Sequence, residues 1–228
     1  MRPSAFDGSI LAWRRIAGGR WLLLLLVPTL FVGAIALAER SGGAAATDRT
    51  LTGATFGIAI PLVALALWRL VAPGLRLDDA LLPLSRRGAD RRVAALGLLA
   101  TLSILAAAAG TFLASVAVLA TRGLADPRLT SDLTASAWIG AVAGAAYACW
   151  LGLGTSFGAR GGGRWALLLL DAALGTGTGP IAFPWPRAHL RNLLGADAVL
   201  GLPQWTAVPW LGVLLTFCAL GLLARTDR

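Results

Sequence analysis

Long apolar stretches with at most one charge each constrain this chain more than any other feature. Six stand out, at about 21–38, 53–71, 93–120, 133–157, 165–183 and 207–224, each of 18 residues or more. Roughly 20 residues at about 1.5 Å each cross about 30 Å of hydrocarbon, and a backbone in lipid must satisfy its own hydrogen bonds, so such runs fold as helices. The sequence therefore predicts an all-α, polytopic membrane protein: one transmembrane domain over 1–228 with six transmembrane helices. Composition agrees, since 57% of the chain is apolar and 14% charged, against about 25% charged in a soluble domain. The third run must tilt or project, because its 28 residues exceed the bilayer. Arg14, Arg15 and Arg20 followed by an apolar run ending at Ala36-Leu37-Ala38 have a signal peptide's order. That run is longer than the usual 7–15 residues, so a retained span is expected.

Arginine placement sets the orientation. All 20 basic residues are arginine, and all but Arg69, near the end of the second run, fall between the runs. With the N-terminus inside, 14 arginines lie on the cytoplasmic side and six outside. This positive-inside bias predicts that both termini are cytoplasmic. The formal net charge of +9 then serves topology and membrane lipid rather than nucleic acid. Trp21, Trp68, Trp138, Trp165, Trp205 and Trp210 fall near expected span ends, as an aromatic belt would. The absence of lysine and the abundance of Ala, Gly, Leu and Pro fit a GC-rich bacterial gene and a multi-pass protein of the inner membrane. Cys149 and Cys218 lie inside apolar runs without CxxC spacing, which predicts small buried hydrophobes rather than a disulfide or metal site.

Three segments outside the spans carry information. Phe6, Ile10, Trp13 and Ala17 recur at helical spacing, predicting an amphipathic helix over 4–19 on the inner leaflet. Between the second and third spans, 72–92 reads as a break at Pro73-Gly74 and a short helix capped by Asp78 and ended by Pro83. A new helix capped by Ser85 then runs through Arg86 and Arg87 into the third span. After the fifth span, Gly175, Gly177, Gly179 and Pro180 should kink the helix, and 184–206 should form an outer hairpin packed on other spans.

Catalytic chemistry has little to work with. Gly154-Thr155-Ser156-Phe157-Gly158 matches a serine nucleophile pattern, but the lone histidine, His189, falls on the opposite side of the expected bilayer. No Walker A loop and no carboxylate pair inside a span occurs. No catalytic, cofactor-binding or metal site is expected, and the chain is not expected to be an enzyme. Asp171 is the one charge deep within an apolar run. An intramembrane carboxylate is costly, so it is either functional or hydrogen-bonded across helices.

This organisation resembles the permease subunit of an ABC transporter of the type-2 exporter class. The stretch Leu81-Leu82-Pro83-Leu84-Ser85-Arg86-Arg87 is similar to one those permeases carry at the same place, whereas Leu77-Asp78-Asp79-Ala80 stands where they usually have a glutamate-bearing stretch. The resemblance implies a homo- or heterodimer of permeases served by separate ABC ATPase subunits, with ATP and Mg in the ATPase and no cofactor in this chain. It makes Asp78, Asp79, Leu82, Pro83, Ser85, Arg86 and Arg87 candidates for coupling to the ATPase. The low charge of the spans favours an amphipathic or lipid-linked cargo. The alternative is a non-transporting scaffold or assembly subunit of a larger membrane complex.

Overall fold

The computed structural model describes residues 5–18, 21–42, 44–124 and 126–226. Ten α-helices account for most of them: α1 (Ala5–Ala17), α2 (Trp21–Glu39), α3 (Ala44–Arg49), α4 (Ile60–Val71), α5 (Leu77–Ser85), α6 (Arg91–Arg122), α7 (Leu129–Thr155), α8 (Gly163–Leu174), α9 (Pro186–Leu193) and α10 (Ala207–Arg225). A π-helical segment, Thr50–Ala59, joins α3 to α4 without a break. Five helical stretches among the described residues are long and apolar enough to cross a membrane: Leu22–Gly42, Ala45–Val71, Arg91–Arg122, Leu129–Thr155 and Gln204–Arg225. This is a multi-pass, all-helical membrane protein.

The expected fifth span over 165–183 is not a full crossing. Its helix, α8, ends at Leu174 after 12 residues, about 18 Å, and turns occupy 175–185. The physical reason lies in Gly175, Gly177, Gly179 and Pro180: glycine raises the cost of helix by about 1 kcal/mol and proline by about 3. The second crossing is longer than 53–71, because the helix already begins near Ala44 and carries Asp48 and Arg49 in its first turns.

The antiparallel pair α6 and α7 forms the centre. Gly110, Gly140 and Gly144 stand where a Cβ would collide with the facing backbone of Gly140, Gly110 and Ala106 respectively. Small residues let the two backbones touch, as membrane helix pairs require. Trp68 ties α4 to this pair, its Nε1 donating to the Ala148 carbonyl at 2.7 Å. Trp68 is therefore core and not belt, while Trp138, Trp165, Trp205 and Trp210 are exposed.

α1 docks on the first turns of α6. Ala12 and Ile16 are buried, Ser9 Oγ donates to the Gly97 carbonyl at 3.0 Å, and Gly8 has no room for a Cβ against Ala94. Its other face exposes Phe6, Ile10 and Trp13, the side suited to a lipid surface. Residue 4 and residues 19–20 of the expected helix lie outside the described residues.

At α5 the structure corrects the expected caps. Arg76, in extended conformation, is the N-cap and contributes no side-chain bond, and Pro83 lies inside the helix rather than after it. A proline there forfeits one hydrogen bond, to the carbonyl four residues back, within a helix of only nine residues. Ser85 bonds back to the Leu82 carbonyl at 3.0 Å and caps nothing. The chain turns at Arg86, Arg87 and Gly88, with Gly88 at φ +84. Asp90 is the true cap of α6, accepting from the backbone N–H groups of Arg92 and Val93 at 2.8 and 3.4 Å.

The end of α10 meets the end of α7, where a Cβ on Gly221 would touch Leu153. Leu23 and Phe31 of α2 line one groove with Ile58 of the π segment and Leu70 at the end of α4.

Candidate functional site

Asp171 sits about 12 Å along α8 from its first residue and is 0% exposed. Three donors converge on it. The Tyr147 hydroxyl of α7 donates to Oδ2 at 2.8 Å, the Arg187 backbone N–H of α9 donates to Oδ1 at 3.0 Å, and Arg187 Nε stands 3.5 Å from Oδ2. A lone carboxylate in hydrocarbon costs several kcal/mol. Here the charge has a cationic partner and two direct hydrogen bonds, which is what permits it to be buried.

Local sequence explains how the groups meet. Gly175 ends α8 and lets the chain double back, since a Cβ there would fall 2.8 Å from the Arg187 Cβ and 3.2 Å from Asp171 Oδ1. Pro186 opens α9 at its first position, where a missing N–H costs nothing. Arg187 also donates through Nη2 to the Gly57 carbonyl of the π segment. In an α-helix that carbonyl would accept from residue 61, which is proline and has no N–H to give. The π register skips that proline, and the Arg187 side chain adds a donor from a distant element.

Other polar groups of 175–206 bind the hairpin to itself and to its neighbours. Arg191 donates to the Thr176 carbonyl, the Leu200 N–H to the Thr178 carbonyl at 2.8 Å, and Gln204 Nε2 to the Leu193 carbonyl at 2.6 Å. His189 is buried with Nε2 2.7 Å from the Phe183 carbonyl, and the Phe183 ring packs edge-on against both His189 and Trp210. Gly179 and Pro180 are exposed in the turn. Ser156, the serine of the nucleophile pattern, is at the end of α7 with Oγ donating to the Leu153 carbonyl at 2.7 Å; it and His189 belong to separate hydrogen-bond systems.

The second candidate region is α5. Leu77, Ala80 and Leu81 are buried, Asp78, Leu82 and Ser85 are half-buried, and Asp79, Pro83, Arg86 and Arg87 are exposed. Arg15 of α1 donates to the Val71 carbonyl that ends α4 and reaches the Ala80 carbonyl of α5 at 3.4 Å. Arg164 of α8, 3% exposed, donates to the Ala72 carbonyl at 3.0 Å. Two arginines from separate helices thus cap the end of α4, where carbonyls lack partners and the helix dipole is negative. Burial pushes the Asp78 carboxyl above its ordinary range, with Arg76 and Arg91 pulling it back and Asp79 adding to the rise.

The sequence marks Asp171 as an isolated intramembrane charge but does not mark its partners. Arg187 lies in a stretch expected to be outside the spans, and the signal that could have pointed to α7 is Tyr147, the only tyrosine in the chain. No family model, curated protein or solved structure matches this chain.

Proposed function

We propose that this chain is the transmembrane permease subunit of an ATP-driven export system in a bacterial inner membrane. It would act as a homo- or heterodimer, with separate ABC ATPase subunits at its cytoplasmic face and an amphipathic or lipid-linked cargo. The observation that carries this reading is the attachment of α5. It packs on α6 with Leu77 and Leu81 buried, while Arg15 links it to α1 and to the end of α4. A partner pressing on the exposed Asp79, Pro83, Arg86 and Arg87 would therefore move three helices together. ATP and Mg belong to that partner; the role of this chain is to receive the push and pass it to the helices lining the cargo path.

Purification in mild detergent tests this. The wild-type chain should bring down an ATPase subunit, and Arg86→Glu with Arg87→Glu should insert normally yet lose that subunit or its stimulation. Arginine-to-lysine changes separate bidentate carboxylate recognition, which they weaken, from headgroup attraction, which they preserve. A double glutamate variant that keeps its full complement of partner and activity would sink the assignment.

A further inference from the structure

Between the π segment and α9 lies a cavity of about 340 Å³ lined by Thr52, Gly53, Phe56, Thr176, Arg187 and Arg191, among others. Its two guanidinium groups are incompletely matched. Arg187 has its one carboxylate, Asp171, at 3.5 Å, and its buried Nε has no hydrogen-bond partner. Arg191 is engaged by the Thr176 carbonyl, and no carboxylate among the described residues stands within ion-pairing distance of it. With Asp171 matching Arg187, the cavity carries the net positive charge of the half-buried Arg191, which favours an anion.

Ile58 borders both this cavity and an apolar groove. That groove, about 620 Å³ between α2 and α4, is walled by Leu23, Val27, Phe31, Leu62 and Leu70. From Ile58 to Leu70 it runs about 18 Å along the helix. Its one charged neighbour, Arg69, stands at the far end and lies over the Trp165 ring, 5.9 Å from its centre. A free small anion would make no use of such a groove. A head joined to a hydrocarbon chain would fill both cavity and groove.

We propose that cavity and groove together bind one anionic amphiphile, with a phosphate or carboxylate head between Arg187 and Arg191 and an unbranched chain along α2 and α4. Guanidinium forks match the oxygens of either head, and the chain covers the exposed Leu62 and Ile58. As a statement about cargo this rests on the permease reading. As a statement about binding it does not, so loss of binding and absence of an ATPase partner are separate results.

The test uses the whole chain purified in dodecyl maltoside and calorimetric titration with three probes: dodecyl phosphate, inorganic phosphate and dodecyltrimethylammonium. Dodecyl phosphate should saturate at one per chain, and neither of the others should compete in its range. Arg191→Gln should weaken it about tenfold or more, the scale of one lost charge-assisted hydrogen bond. Gly53→Leu should weaken it as well by filling the cavity, since nothing lies within 4 Å of a Cβ built there and the fold can accept the side chain. Unchanged binding in both variants would overturn the site. Equal binding of inorganic phosphate would reduce it to a simple anion site and overturn the amphiphile. A variant whose loss of binding follows a change from dimer to monomer in light scattering would give the groove to a second copy of the chain, also against the proposal.

Discussion

Gly110 of α6 and Gly140 of α7 meet backbone to backbone: a Cβ on either would fall inside 3.0 Å of the other's carbonyl oxygen. Alanine normally gains about 1 kcal/mol over glycine within a helix. Here the added methyl must force the helices apart, and overpacking of that kind costs about 1–3 kcal/mol. The second effect wins. Gly110→Ala should lower the thermal midpoint in detergent, and Gly110→Leu should prevent a folded product. Gly33, with nothing within 4 Å of its Cβ position, provides the control: Gly33→Ala should be neutral or stabilising by about 0.5–1 kcal/mol. Equal responses at Gly33 and Gly110 would contradict the close approach.

The Tyr147, Asp171 and Arg187 cluster should behave as a unit. Asp171→Leu leaves the Arg187 guanidinium, 16% exposed, without its counter-charge, and breaking a buried pair costs about 3–5 kcal/mol. Tyr147→Phe removes one hydrogen bond to a charged acceptor, about 1.5–3 kcal/mol. Asp171→Asn combined with Arg187→Gln should lose less than the two single changes summed, because neither charge is then stranded. Unfolding of wild type, both single variants and the double variant in one detergent decides it; strictly additive losses would show that the cluster carries no coupling.

The features of this fold that depend on composition over many residues were legible in the sequence. Five of the six expected spans are long helices, and α1 was evident from the spacing of Phe6, Ile10 and Trp13. What escaped were features decided by one or two residues in three dimensions. Leu168, Leu169 and Leu170 continue an apolar run in hydropathy, yet α8 stops at Leu174 because the glycines beyond it make room for α9. Pro83 has the local chemistry of a stop, but a helix near its end tolerates the loss of one bond. Arg187 reads as a loop charge because its partner lies 16 positions away on another helix. The close contact of α6 and α7 had a signal that hydropathy does not use: Gly140 and Gly144 at i, i+4 facing Ala106 and Gly110.

Asp78 should make stability depend on pH in an uncommon direction. Burial raises its carboxyl from an ordinary value of 3.8, and its Oδ1 is buried without a hydrogen-bond partner. The folded state therefore holds the proton more tightly than the unfolded one. Stability contributed by the protonated group is present below 3.8 and is lost as pH rises through the raised folded value. Asp78→Asn should accordingly raise the thermal midpoint at pH 7 relative to wild type and leave little difference at pH 3. Parallel wild-type and variant profiles across that range would rule this out.

Topology is the prediction with the widest consequence. Fourteen of the 20 arginines fall in the segments expected on the cytoplasmic side. Of the six expected outside, Arg187 and Arg191 are held by the hairpin, Arg187 against Asp171 and Gly57 and Arg191 against Thr176. Their position is thus explained by structure rather than by insertion, which sharpens the positive-inside bias. Cysteine labelling of intact spheroplasts reads the orientation directly, and the native Cys149 and Cys218 are buried and give little background. Ala45→Cys, exposed at the start of α3, should react with an impermeant maleimide added from outside. Arg87→Cys, exposed in the turn after α5, should react only after the membrane is opened. Its position avoids Gly88, whose φ of +84 disfavours a side chain. The reverse pattern would invert the protein in the membrane, and α5 would then face away from any cytoplasmic ATPase.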